Sequence, residues 1–181
     1  MTAVHLAPKL MTNETLSLTQ IASLLEATPD ALNIFLSSLP EKIVGWHPAE
    51  GEWCVKECIG HLIEADKNGF YGRIRTILEE DTPHLATWDI AGILAARHDC
   101  QRYLVELLAE WGDLRTQSAD LIMDLSEKEL ARTGIHPAVG ELSINDLLYE
   151  WVYHDQNHIK QMLNNIQVFA WPHMGNAQKF S

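Results

Sequence analysis

The stretch "WVYHDQNHIKQM", residues 151–162, sets two histidines four positions apart within a pattern that otherwise predicts an ordinary helix. On an α-helix this spacing places His154 and His158 on one side, about 6 Å apart along the axis. Apolar residues continue that side in both directions, so the two imidazoles are predicted to face the interior. The stretch therefore predicts an amphipathic helix whose histidines are either a metal clamp or two core residues.

Helical periodicity extends outward from this stretch along almost the whole chain. The helix that contains it is predicted to begin after Ser143, an N-cap with Asp146 at the N3 position, and to reach about residue 169. Thr28-Pro29 is expected to separate a short extra N-terminal helix from the first long one, because Thr caps helices and Pro suits their first turn. The remaining helices are expected near 17–27, 29–39, 54–80 and 90–124, with loops at 39–53 and 133–143.

Four long amphipathic helices without an alternating strand pattern indicate an all-α fold, a four-helix bundle with a short extra N-terminal helix. Nothing in the sequence repeats, and no long flexible linker marks a boundary, so we expect one domain over 1–181. Its core is expected at about 17–170, between a tail at the first dozen residues and a C-terminal tail.

The charge balance is strongly acidic, with 13 Lys and Arg against 25 Asp and Glu and a formal net charge of −12. Such a surface repels phosphate backbones and anionic head groups, which argues against nucleic acid and membrane partners. No apolar run approaches the roughly 18 residues that a membrane span needs, and the first residues lack a signal-type segment. Three cysteines are too few for a disulfide framework, so we expect reduced thiols in a cytoplasmic protein.

A third histidine, His61, lies in an apolar stripe of the predicted second helix. A buried imidazole must find a donor, an acceptor or a metal, because it loses its hydrogen bonds to water. One such residue is usually a satisfied core histidine, but bundle packing could bring His61, His154 and His158 to one point. Three neutral imidazoles with an open fourth position are typical of a catalytic zinc site, and nickel accepts the same ligands. We therefore predict one divalent metal ion, zinc or nickel.

Two segments carry a resemblance to a known family. "GEWCVKECIGHLIEAD" (51–66) and "GELSINDLLYEWVYHDQNHIKQM" (140–162) resemble the DinB/YfiT-like family of metal-dependent four-helix-bundle proteins, and the likeness covers about 20–170. The resemblance implies an up-down-down-up bundle, with a metal held by one histidine of the second helix and an H-x-x-x-H pair of the fourth. Carried onto this chain, those metal ligands are His61, His154 and His158.

The resemblance leaves the reaction open, because members resemble thiol-dependent transferases or isomerases, metal-dependent hydrolases, or proteins without an assigned activity. It implies an enzyme with a small-molecule substrate, which for a transferase would be a low-molecular-weight thiol, and a homodimer. Two other classes of function stay open: a non-catalytic, stress-associated bundle whose metal is structural, and a helical interaction module without metal. The structural metal would have a fourth protein ligand, Cys58 or a glutamate, and no pocket.

The residues around the two histidines of the last helix have competing interpretations. His154-Asp155-Gln156-Asn157-His158 differs by one methylene from the H-E-x-x-H motif of zinc metalloproteases, but an all-helical chain lacks the strand that usually binds their substrates. Asp155 is predicted to face a neighbouring helix or to orient a ligand histidine. Either Trp53 or Trp151 could wall a pocket over the metal.

The carboxylates and thiols near His61 also have two interpretations each. Glu57 and Glu150 each precede a predicted ligand by four residues, so each is either solvated or accepts a histidine N–H. Cys54 and Cys58 share the stripe of His61, where packing is the favoured role and metal ligation is the alternative.

Overall fold

Four long helical rods make up the protein in the computed structural model, which describes residues 14–180. A small hairpin and several short helical turns connect or follow them. The tail predicted at the first dozen residues lies outside the described range, and the predicted C-terminal tail contains two 3-10 turns. The helices are α1 (Leu18–Leu36), α2 (Glu41–Val44), α3 (Val55–Glu64), α4 (Tyr71–Glu79), α5 (Ile90–Arg97), α6 (Leu104–Met123), α7 (Glu127–Leu130) and α8 (Ile144–Ala170), with a π-helical segment at Ala65–Phe70, 3-10 turns at Asp99–Gln101, Trp171–His173 and Gly175–Phe180, and strands β1 (Thr133–His136) and β2 (Gly140–Ser143).

The second and last rods agree with the helices predicted near 54–80 and from Ser143 onward. The second rod consists of α3, the π-helical segment and α4 without a break, and Cys54 with Glu57 at N3 caps its start. The last rod is α8, where the Ser143 hydroxyl accepts a hydrogen bond from the Asp146 N–H at 3.0 Å. Both starts follow from local capping, because these side chains satisfy N–H groups that have no partner inside the helix.

The first rod corrects the prediction of a separate short N-terminal helix. α1 is continuous and includes Pro29, so Thr28 is not an N-cap, and its hydroxyl donates to the Leu24 carbonyl at 2.8 Å. Proline has no N–H for the carbonyl four residues earlier, that of Leu25. The buried Arg115 side chain donates to this carbonyl at 3.3 Å. A tertiary contact therefore satisfies the carbonyl that Pro29 leaves free.

The third rod is shorter than the helix predicted near 90–124. The chain forms α5, turns at His98, makes one 3-10 turn and only then enters α6. His98 has a φ of 53°, a left-handed conformation that ends α5 and is uncommon outside glycine. Asp99 accepts a hydrogen bond from Arg97 Nε at 2.7 Å across this turn. Residues 80–103 thus form a connection from α4 to α6, called the crossover below.

The loop predicted at 133–143 contains a short β-hairpin in the structure, and the fold is otherwise helical, as predicted. β1 and β2 pair antiparallel, with Thr133 opposite Ser143. An isolated bridge from His84 to Ile135 attaches the crossover to β1. Strands of 4 residues each are too short to show an alternating pattern, which is why the sequence did not reveal them.

The second and third rods run parallel to each other. Near their starts, Lys56 Nζ donates to the Arg102 carbonyl at 2.7 Å. Further along both rods, Arg115 of α6 binds Asp66 of the π-helical segment at 2.6 Å. Since contacts advance in the same direction along both rods, the crossover has to return the chain to the end of the bundle where α3 begins.

The first and last rods run opposite to this pair. Asn165, near the end of α8, donates to the carbonyl of Trp53, just before α3 begins, at 2.7 Å. Leu36 at the end of α1 packs in one cluster with Leu104 at the start of α6, whereas earlier turns of α1 contact later turns of α6. The order of directions is therefore up-down-down-up, as the resemblance implied.

Two clusters of buried apolar side chains fill the bundle, one toward each end. On α8, Trp151 belongs to the first cluster and Met162 to the second. His154 and His158 lie between these two positions, so the histidines occupy the boundary of the clusters. Among residues 14–180, no helix is both long enough and apolar enough to span a bilayer.

Candidate metal centre

The structure brings the three predicted histidines together between the second and last rods. His61 belongs to α3, and His154 and His158 belong to α8. One nitrogen of each ring lies within 4.8 Å of a nitrogen of the other two. The Nε2 atoms of His61 and His154 are 3.0 Å apart, and the three pairs of ring centroids are separated by 4.5 to 5.0 Å. The i, i+4 pair of α8 thus meets the single histidine of α3.

Gln161 determines how His158 presents its ring. Gln161 Oε1 lies 3.0 Å from His158 Nδ1, nearly one turn further along α8. An amide oxygen only accepts, so Nδ1 carries the proton and donates it. The neutral ring then has an unprotonated Nε2, whose lone pair is what a metal ion requires. The sequence prediction missed Gln161, although its position three residues after a candidate ligand was a usable signal.

The imidazoles of His61 and His154 lack hydrogen-bond partners for some of their nitrogens among residues 14–180. His61 and His154 meet Nε2 to Nε2 and can share only one proton, and the Nδ1 atoms of both rings are buried without a partner. Buried polar atoms without partners are uncommon and costly. Ring nitrogens that face one another also bring their lone pairs together, which a cation between them would offset. The donor set therefore fits one divalent ion.

All three imidazoles are neutral near pH 7. Burial, with a smaller contribution from the neighbouring His158, lowers the pKa of His61 to about 4 and the pKa of His154 to about 3. Burial also lowers the pKa of His158, although its hydrogen bond to Gln161 acts in the opposite direction. The neutral ring is the protonation state that binds metal, so the protein itself prepares these residues as ligands.

Three aromatic side chains surround the histidines. Trp53 packs against two of the imidazoles, with ring centroids 5.0 and 6.0 Å apart. Trp88 of the crossover stacks on His61 at 6.4 Å, and Phe70 packs against His154 at 5.3 Å. These rings limit the access of water to the imidazoles, and of the three the sequence had identified only Trp53 as a wall.

A cleft of about 380 Å³ lies between Trp53 and α5. Trp151, the second predicted wall, does not reach it, because its ring is fully buried and stacks on Phe70 in the core. The cleft is lined by Trp53, Glu57, Ile90, Ala91, Leu94 and Ala95.

A buried ion network adjoins the histidines. Arg115 of α6 is fully buried and binds Asp66 through Nε at 2.6 Å and Asp155 through Nη1 at 2.7 Å. The indole N–H groups of Trp111 and Trp151 also donate to Asp66, at 2.9 and 2.8 Å. One guanidinium between two carboxylates has a net negative charge when both carboxylates are ionised, which favours a cation nearby. The sequence prediction missed Asp66 and Arg115, two charges on otherwise apolar helix faces.

The role of Asp155 is decided by this network. Its two carboxylate oxygens accept hydrogen bonds from Arg115 at 2.7 and 2.9 Å. Asp155 therefore faces a neighbouring helix, which was one of its two predicted roles, and it does not orient a histidine. The same contacts occupy the side chain that would act as the base in an H-E-x-x-H-type protease.

The other candidate ligands do not join the three histidines. Cys58 is fully buried among apolar side chains, and Glu150 is exposed. Glu57 accepts a hydrogen bond from the Cys54 N–H at 2.8 Å and lies 2.8 Å from His47. Among residues 14–180, no cysteine or carboxylate lies close enough to the three histidines to serve as a fourth ligand.

Comparison with known proteins connects the chain to one family. A family model described as the DinB superfamily matches residues 24–162. A Bacillus licheniformis protein named "Putative metal-dependent hydrolase" is 28% identical over 151 residues, which span 81% of this chain and 84% of that protein. A Bacillus pumilus protein of the same name is 25% identical over 122 residues, which span 67% of this chain and 69% of that protein.

A solved structure has the same fold. YfiT from Bacillus subtilis is similar with a TM-score of 0.77 at 20% identity, over 91% of this chain and 96% of that one. It is described as "a probable metal-dependent hydrolase with an unusual four-helix bundle topology". This likeness confirms the predicted four-helix bundle.

Proposed function

The chain belongs to the DinB superfamily, and we propose that it is a metal-dependent enzyme that catalyses a hydrolysis. In this proposal, His61, His154 and His158 hold one divalent ion, zinc or nickel, through their Nε2 atoms. The observation that carries the proposal is the convergence of three neutral imidazoles without a fourth protein ligand among residues 14–180. The names of the two Bacillus relatives support hydrolysis as the class of reaction.

The side chains around the histidines are arranged to assist such an ion. When bound to three imidazoles, a divalent ion supplies Lewis acidity and favours an ionised nucleophile near neutral pH. Gln161 accepts a hydrogen bond from His158 Nδ1–H and so holds that ring in one orientation. Trp53 and Trp88 pack over the rings and limit the entry of bulk water. Arg115 ties α6 to both histidine-bearing rods, which preserves the spacing of the ligands.

In this proposal, the substrate approaches through the cleft beside Trp53, because this ring also packs against His61 and His158. Its walls are mostly apolar, and Glu57 is the one acidic side chain that lines it. A small substrate with an apolar part would therefore fit this entrance. A thiol S-transferase would use the same arrangement, but with a substrate thiol instead of water at the open position of the ion.

The first experiment tests the ligands. We expect His61→Ala, His154→Ala and His158→Ala each to lose about one equivalent of bound metal relative to the wild-type protein, as measured by elemental analysis. His173→Ala, which alters an exposed histidine in a C-terminal turn, should retain the wild-type content and is the matched control. Full retention in all three variants would contradict the site, and loss in the two α8 variants alone would exclude His61.

The second experiment tests the open position and the reaction. Titration of the cobalt-loaded protein with a small thiol should increase a sulfur-to-metal charge-transfer band, and His158→Ala should abolish the increase. A panel of activated esters and amides should be hydrolysed in a chelator-sensitive way by the wild-type protein but not by His158→Ala. A spectrum that responds to neither thiols, azide nor carboxylates would instead support a structural ion.

A further inference from the structure

A second group of metal-ligating side chains lies at the N-terminal end of α3, separate from the three histidines. It consists of His47, Cys54, Glu57 and Cys100, and one ligand atom of each lies within 4.8 Å of those of the others. The sulfur atoms of Cys54 and Cys100 are 2.7 Å apart, and both residues are free thiols. His47 Nε2 is 2.8 Å from Glu57 Oε2 and 3.6 Å from Cys100 Sγ.

We propose that these four residues form a second metal site, a structural zinc site with a closed shell of two thiolates, one imidazole and one carboxylate. Four ligands that include cysteine sulfur are typical of structural zinc, whereas hard ions such as magnesium and calcium require oxygen ligands. With Zn–S bonds of about 2.3 Å, a tetrahedral shell separates its two sulfurs by about 3.8 Å. Cys54 and Cys100 would therefore move apart by about 1 Å, and their two thiol protons would pass to solvent.

The segment that carries Cys100 is held firmly against α3. Asp99, which precedes it, is buried and pairs with Arg97 at 2.7 Å. It also packs so closely on Gly60 that a Cβ at that position would clash with the Asp99 carboxylate. On the other side of Cys100, the buried Lys56 ammonium donates to the Arg102 carbonyl at 2.7 Å. The position of Cys100 over Cys54 is thus fixed by contacts that do not involve the sulfurs.

The other two ligands are also held in place before any ion binds. Glu57 accepts the hydrogen bond of the Cys54 N–H at 2.8 Å, which caps α3 and directs its carboxylate toward the group. Cys54 is fully buried, whereas the His47 side chain is 46% exposed. An ion can therefore approach from the His47 side. Burial raises the pKa of both thiols, so the ion itself would displace their protons on binding.

The ligand set distinguishes a zinc site from the competing state, a disulfide between Cys54 and Cys100. A disulfide needs only the two sulfurs, and it would leave the His47 imidazole beside them unused. A zinc ion uses all four groups. The zinc ion would also connect two segments at the N-terminal end of α3. One is the loop before α3, which ends at Trp53, and the other is the 3-10 turn of the crossover.

The test is the content of each metal in the full-length protein, purified with a phosphine reductant and without chelator. We expect about two metal ions per chain in the wild-type protein, at least one of them zinc, and about one zinc ion fewer in Cys100→Ser or His47→Ala. Cys58→Ala, which alters the third cysteine outside the group, should keep both ions. His61→Ala should also keep one ion, so failure of the three-histidine site and failure of this site give different results.

Cobalt substitution supplies a second readout that does not depend on activity. Before any thiol is added, the wild-type protein and His61→Ala should show a sulfur-to-metal charge-transfer band that is missing in Cys100→Ser. Equal metal content in the wild-type protein and Cys100→Ser, with no such band, would overturn the proposal. A reduced-condition intact mass that is lighter by two thiol hydrogens, with a Cys54–Cys100 cross-linked peptide, would also overturn it in favour of the disulfide.

Discussion

His158 differs from the other two imidazoles because a neighbouring side chain decides its protonation. Its Nδ1–H donates to Gln161, whereas the Nδ1 atoms of His61 and His154 have no partner within the described residues. Packing against aromatic rings, including Trp53, orients the latter pair less specifically than a hydrogen bond would. Gln161 is therefore a positioning residue for the proposed ion.

We expect Gln161→Leu to weaken metal binding about 10- to 100-fold, because the His158 ring loses the acceptor that fixes its orientation and supports its basicity. Competition with a chromophoric chelator measures the affinity. Gln161→Glu should keep or increase the affinity for metal, since a carboxylate accepts the same hydrogen bond from His158. Gln156→Leu on the same helix is the control, and an equal affinity of the two leucine variants would refute the role of Gln161.

The sequence indicated the three histidines because each is a polar residue inside an apolar stripe of a predicted helix. It did not reveal the group of Cys54 and Cys100, because these residues are far apart in the chain and only the turn after His98 brings them together. Cys54 was expected to serve in packing. A left-handed turn at a residue other than glycine, here His98, leaves no clear pattern in a sequence, so the contacts that depend on it are not predictable.

Among the helices, α1 and α6 depend on each other through Arg115. This side chain binds the Leu25 carbonyl that Pro29 leaves free, and the same guanidinium pairs with Asp66 and Asp155. It is fully buried and lies over the rings of two tryptophans, at 4.8 and 5.2 Å from their centroids. Arg115, which lies on the third rod, thus contacts all three of the other rods.

We expect Arg115→Met to lower the free energy of unfolding by about 3–5 kcal/mol, because it leaves Asp66 and Asp155 buried without their cation. Urea denaturation followed by circular dichroism gives this value. The triple variant Asp66→Asn, Arg115→Met, Asp155→Asn should be more stable than the single variant, since it has no unpaired charge. A single variant as stable as the wild-type protein would show that the network contributes nothing.

Helix boundaries were predictable where local side chains set them and not where tertiary contacts do. The capping box at Ser143 is visible in the sequence, and α8 begins there. The continuity of α1 through Pro29 needs a guanidinium from another helix, and the break at His98 is stabilised by the Arg97–Asp99 pair. The guanidinium comes from outside the segment that it shapes, and the Arg97–Asp99 pair, although local, breaks the helix at a position that neither glycine nor proline marks.

Across the whole molecule, Glu110 of α6 holds the crossover to the bundle. Burial raises the pKa of Glu110, but ion pairs with Lys67, Arg102 and Arg97 outweigh this effect and lower it to about 2. A carboxyl group whose folded pKa lies below its unfolded value stabilises the protein above the unfolded pKa. That stability disappears as the pH falls toward the folded pKa.

Glu110→Gln should therefore cost about 1–2 kcal/mol at pH 7, after allowance for solvent screening, and clearly less at pH 3. Urea denaturation at both pH values tests the difference. Glu106→Gln removes an exposed carboxylate from the same helix and should change stability little at either pH. A cost for Glu110→Gln that is the same at pH 3 and pH 7 would contradict the assignment.

Removal of metal should lower the melting temperature without unfolding the protein. An ion at a hundredfold excess over its Kd stabilises the folded state by about 2.7 kcal/mol, or roughly 5–10 °C for a chain of this size. The two apolar clusters do not depend on the ion, so the helical signal should persist at 20 °C after chelation. Complete loss of that signal would show that the ion is required for folding.

The parallel course of the second and third rods also bears on how such a protein can diverge. An antiparallel pair can be joined by a short turn, but a parallel pair needs a connection that travels back along the bundle, here residues 80–103. No residue of α5 within this connection is buried, yet the connection stacks Trp88 on His61 and forms one wall of the cleft. On the proposed function, substitutions or insertions in α5 can change which molecules reach the histidines, because α5 carries neither a ligand nor a core residue. The topology thus gives natural variation, or a protein engineer, an exchangeable segment for altering specificity.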